Sequence, residues 1–139
     1  MRGTVSEAQE IMWKEVALSR YQYLTFTMIN NAMVFQMLVV TWRQMGFEPN
    51  TAMVSEIEGF LKDASSLNRT VVDNYMKPMD QISLSDVKSI GTKFERLMAT
   101  YTVIGDAMTK ELRRFSGAQY NEGLKMLTDV LKNGPSMYR

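Results

Sequence analysis

Apolar residues recur at three- and four-residue steps along almost the whole chain, and no stretch alternates with the two-residue period of a strand. This pattern predicts an all-α fold: an elongated bundle of about four helices, roughly 7–45, 51–76, 86–115 and 118–132, in one domain spanning 1–139. The first helix opens at a capping box, Ser6 with Gln9, overlapped by Thr4 with Glu7. Nothing breaks it before Gly46, Phe47 and Pro49, where glycine can take the left-handed conformation that closes a helix and proline prevents its continuation. It is therefore about 39 residues, or roughly 58 Å, which is overlong for a globular helix.

Asn50 or Thr51 caps the second helix, whose apolar stripe is Met53, Ile57, Phe60, Ala64, Leu67, Val71 and Tyr75. Gly59 and the polar stretch 63–69 are soft spots where it could bend or split, and Pro78 ends it. Ser83 or Ser85 caps the third helix. There Val87, Ile90, Phe94, Leu97, Tyr101, Ile104 and Met108 form a heptad-like seam, extended by Leu112 and Phe115, with charges on the other faces. Gly117 interrupts this helix. A shorter fourth one carries Tyr120, Leu124, Leu127 and Leu131 on one side and closes at Gly134-Pro135.

The first helix differs from the others. From Tyr21 to Trp42 it has no charge, glycine or proline, and Arg20 and Arg43 stand just outside. The length suits a membrane span, and Tyr21, Tyr23 and Trp42 lie where interfacial aromatics sit. Asn30 and Asn31 at its centre, with several Gln and Thr residues, argue instead for protein neighbours. At 100° per residue, Tyr21, Leu24, Met28, Ala32, Phe35, Val39 and Trp42 share one sector of about 80°, with Trp13 and Ala17 continuing it. Several of them repeat at eleven residues, which favours a nearly straight packing seam. The opposite sectors hold a surplus: Phe26, Ile29, Met33, Val34, Met37, Leu38 and Val40. Three shorter helices cannot easily enclose a helix that is apolar on all sides, so something outside the chain is expected to cover it.

Composition narrows the chemistry. The chain has no Cys and no His, which removes disulfides, thiol nucleophiles, the commonest general base and the Glu-x-x-His metal pairs of helical bundles. Phosphate-binding glycine loops and nucleophile elbows are absent, and Glu56 and Glu58 fall on different sides of their helix. No enzyme activity, cofactor or metal is expected. Lys+Arg 16 against Asp+Glu 15 gives no strong steering toward nucleic acid, although Lys110, Arg113 and Arg114 near Phe115 and Tyr120 could touch phosphates. The 13 Met residues suit a core and also a pliable binding surface. The first residues lack the apolar core of a signal peptide.

The expected protein is a non-enzymatic helical structural part. It self-assembles or builds into a larger machine, such as a virus or phage particle, a secretion apparatus or a filament. Membrane contact or a channel would be an overlapping form. Its assembly residues are Met28, Asn30, Asn31, Met33, Phe35, Met37 and Val40. The rival from another class is a soluble adaptor or chaperone with a Met-rich groove that accepts a helix.

Overall fold

In a computed structural model the chain is all-α, with α1 Arg2–Gln44, α2 Thr51–Tyr75, a 3-10 turn Met79–Gln81, α3 Leu84–Leu112 and α4 Gly117–Lys132. The structure describes residues 2–114 and 117–132, and the side chains of 6–114, 121–129 and 132; no strand occurs among them. The overlong first helix is present, at 43 residues or about 64 Å. It packs against each of the other three helices, most extensively against α2.

The chain turns sharply after α1. The Met45 and Gly46 amides donate to carbonyls of the last helical turn, and the Phe47 amide donates to the Trp42 carbonyl. Gly46 holds φ 84°, the left-handed conformation that a side chain resists. Asn50 then caps α2, its side-chain oxygen accepting from the Ala52 and Met53 amides. α2 runs unbroken through Gly59 and 63–69, and every stripe residue from Met53 to Val71 is buried, with Tyr75 half-buried. Ser83 caps α3 by accepting from the Asp86 amide at 3.0 Å. The α3 seam from Val87 to Leu112 is buried as its spacing predicts.

Two boundaries differ from the sequence reading. α1 begins at Arg2, so the Ser6–Gln9 box lies inside the helix; no proline precedes it, and Gly3 weakens the helix without ending it. α3 stops at Leu112 and not at 115, and Gly117 begins α4. Phe115, the side chains of Thr4, Tyr120 and Leu131, and Gly134-Pro135 lie outside the described residues.

The inner surface of α1 consists of three columns, each repeating at seven residues. These are Lys14, Tyr21, Met28, Phe35 and Trp42; Leu18, Thr25, Ala32 and Val39; and Leu24, Asn31 and Leu38. All are buried except half-buried Tyr21. The eleven-residue spacing of the sequence is subsumed in this seven-residue order. Trp13, expected on the inner stripe, is 48% exposed, and Lys14 takes the inner place. The Lys14 stem is buried while its ammonium reaches out to the Met79 carbonyl at 3.4 Å and to Glu10 at 3.5 Å. Because Lys14 is level with the turn at Met79, the first three turns of α1, exposed from Ser6 to Glu10, project beyond the bundle.

Polar contacts fix how the helices register. The Thr25 hydroxyl donates to the Tyr21 carbonyl at 2.7 Å and accepts from Asn68 Nδ2 at 2.9 Å, tying α1 to α2. The Asn31 amide donates to the Tyr101 hydroxyl at 3.5 Å, and the Tyr101 ring stands 5.5 Å from Phe35 and 6.0 Å from Phe60. Tyr21 leans on Phe94 at 5.5 Å, and its hydroxyl fills the space where Gly91 lacks a Cβ.

Candidate functional site

Opposite its buried columns, α1 presents a second row. Met12, Val16, Ser19, Tyr23, Phe26, Asn30, Met33, Met37, Val40 and Gln44 step by four and three without interruption, and all ten are exposed. At 100° per residue they fall in a sector of about 120° and span about 48 Å of helix. The apolar members are between 51% and 69% exposed. Thr27, Ile29, Val34, Gln36 and Thr41 border the row and are half-buried, so the bundle rises on either side of it. An apolar strip of this length is rare on a monomer surface.

The segment Ser6–Gln44 is long enough to span a membrane and contains an 18-residue window with the hydropathy of a span, and 44% of that window is buried in the bundle. Its inner half is thus taken by the bundle. What remains for any external partner is the outer row.

Of the seven residues expected to form the interface, Asn30, Met33, Met37 and Val40 lie on the outer row. Met28, Asn31 and Phe35 do not. Met28 and Phe35 are fully buried in the core, and Asn31 is turned inward to Tyr101. Leu38, counted in the apolar surplus, is also interior at 2% exposure. The physical reason is geometric: these four belong to the inner columns, and the bundle claims them first. Met12, Val16 and Tyr23, which the sequence reading did not place on this face, become visible when the four-three step is followed back from Met33 toward the N-terminus. Phe26 was part of the surplus and joins them on the row.

The basic cluster sits at the far end of α3, and all three of its residues are exposed. Arg114 is committed within the chain: it pairs with Glu111 at 2.9 Å and lies over the Phe47 ring at 4.8 Å. Glu111 also accepts from the Asn50 amide at 3.1 Å, so this corner fastens the end of α3 to the α1–α2 turn. Lys110 and Arg113 are left at its edge. Their expected aromatic neighbours Phe115 and Tyr120 fall outside the described side chains. A shallow groove between α2 and α3 of about 290 Å³ is lined by Asp63, Lys93 and Arg96 among other residues. It mixes both signs of charge and is open to solvent, and among the described residues no three acidic side chains converge as a metal site would need.

Titration is perturbed at Tyr21. Burial of its ring and the nearby Glu95 carboxylate push the hydroxyl above its ordinary value, against the opposing pull of Arg20. This group is inside the α1–α3 contact, away from the outer row.

No family model, curated protein or solved structure matches the chain.

Proposed function

We propose that the protein is a non-enzymatic helical building part that acts by associating with copies of itself or with a larger assembly, such as a particle, a secretion apparatus or a filament. The observation that carries this reading is the outer row of α1: a helix already satisfied on one face has a second, largely apolar face in solvent, seven of its ten residues being large and apolar. The outer faces of α2 and α3 are charged and polar, as solvated faces are, which makes α1 the side through which a partner is met. Light scattering across a concentration series, with and without detergent, tests this. The expected result is a mass above 16.0 kDa that grows with concentration. A compact monomer at every concentration overturns it.

The second reading is a partner-binding adaptor. It is favoured by one feature: Met33 and Met37, with Gln36, Val40 and Thr41, border a shallow depression on the outer row, and methionine adapts to varied partner surfaces. That reading predicts a stable monomer or dimer that gains helix order, measured by circular dichroism, when a helical partner is added.

A further inference from the structure

The outer row has the 3.5-residue period of a coiled coil, and its polar and charged residues stand where a two-stranded coil uses them. Taking Met12 as a d position makes Asn30 an a residue at the centre of the row. Glu15 and Arg20, both exposed, then occupy a g position and the e position five residues later. We infer that a second copy of this chain covers the row, with the two α1 helices parallel and in register. The inference rests on the self-association reading above and adds the partner, the surface and the direction.

Three observations carry it. In parallel register each Asn30 meets its counterpart, and a lone Asn at an a position can donate to and accept from its twin, which fixes both register and two-strandedness. The g position of one helix faces the following e position of the other, so Glu15 meets the partner copy's Arg20 on both sides of the dyad. The same rule sets Ile29 against Val34, apolar with apolar. An antiparallel pair in full overlap brings Glu15 toward the partner copy's Arg43, which already pairs with Glu48 in its own chain, but it opposes Asn30 to Phe26 and leaves Arg20 nearest to Val34, so the central amide has no polar counterpart. Finally, the exposed apolar residues of the row present on the order of 700 Å² per copy, close to the roughly 800 Å² per partner of a standard stable interface. The complementarity is of the sequence to itself.

Because the chain contains no cysteine, single cysteines placed in the 139-residue chain report the arrangement without background. Ser19→Cys lies on the row at a d position and is expected to form a covalent dimer under mild oxidation, read on a non-reducing gel. Ser65→Cys, exposed on α2, is expected not to. If Ser19→Cys fails alone but cross-links when mixed with Met37→Cys, the pair is antiparallel and the proposal is overturned. Equal cross-linking by Ser65→Cys would also overturn it, by exposing random collision. Arg20→Glu should weaken association about tenfold, and adding Glu15→Arg should restore it; no recovery counts against the parallel pairing. Wild-type protein that grows in mass while Ser19→Cys stays uncross-linked sinks this surface but leaves the assembly reading standing. A monomer at every concentration sinks both.

Discussion

Gly59 and Gly91 form a matched pair of helical glycines whose replacement by alanine should have opposite signs. Alanine in a helix interior is favoured over glycine by about 0.5–1 kcal/mol. A Cβ at Gly59 would meet nothing within 4 Å, so Gly59→Ala should realise that gain in full. For a chain of this length it corresponds to a rise in melting temperature of about 2–3 °C. At Gly91 the added Cβ would lie 2.8 Å from the Tyr21 hydroxyl oxygen and 3.5 Å from the ring carbon bearing it. That oxygen ends a rigid ring resting on Phe94, so it cannot swing away without disturbing the α1–α3 contact. Forcing a methyl into packed surroundings costs about 1–3 kcal/mol. The cost outweighs the helix term, and Gly91→Ala should lose about 0.5–2 kcal/mol. In a Tyr21→Phe background the hydroxyl is gone and the remaining neighbour is at ordinary contact distance, so Gly91→Ala should recover most of the helix gain. The coupling between the two sites is then about 1–3 kcal/mol, the overpacking cost itself. Urea denaturation followed by circular dichroism, at one fixed protein concentration because association would add to apparent stability, measures all the variants. Were Gly91→Ala to stabilise the wild-type protein as much as Gly59→Ala does, the close approach of α1 and α3 at Tyr21 would be refuted.

Thr25→Val keeps the shape of a fully buried side chain but removes the acceptor for Asn68 Nδ2; it should cost about 1–2 kcal/mol in denaturant midpoint, while Thr25→Ser keeps most of the bond. Phe35→Ala should cost about 3–5 kcal/mol and Met33→Ala under about 1 kcal/mol in the dissociated chain, since one residue is fully buried and the other half exposed; similar losses would contradict the two-faced description of α1. The raised Tyr21 value means that the folded state holds that proton more tightly than the unfolded chain. Its contribution is therefore complete below about pH 10 and is lost as pH climbs from there through the folded-state value. Tyr21→Phe should accordingly flatten the alkaline decline in stability, and an unchanged slope would contradict the burial. Gly46→Ala should destabilise by about 1 kcal/mol despite open space around it, because the left-handed backbone and not crowding is the obstacle; melting temperature reads the loss.

Much of the architecture was legible because several signals agreed. In α2 and α3 one narrow apolar stripe faces charged sectors, so Val71 or Ile104 could only point inward, and Asn50, Ser83 and Gly46 mark ends by chemistry that works locally. In α1 the contrast that orients a helix is missing. Between Tyr21 and Trp42 every sector holds apolar residues, so periodicity alone could not separate Met28 and Phe35, which the core takes, from Met33 and Met37, which it does not. Near the N-terminus the apolar Trp13 looked like core, while Lys14 beside it carried no expectation. The fold puts Lys14 inside in its place, because a lysine stem can be buried if its ammonium finds a carbonyl and a carboxylate at the bundle end. Asn31 inward and Asn30 outward is a distinction of one residue: Asn31 shares the inner column of Leu24 and Leu38 and meets Tyr101 there.

The inner columns and the outer row of α1 keep the same seven-residue count, offset by two positions. A gentle left-handed wind that suits one face suits the other, so the helix can serve both without strain. The same arrangement makes α1 intolerant of a change in length. One residue inserted near its middle would turn everything beyond it by about 100°, carrying core side chains toward solvent and the exposed row toward the flanks. Letters on the outer row can drift while the count cannot, and descendants of this chain should vary in the composition of α1 long before they vary in its length.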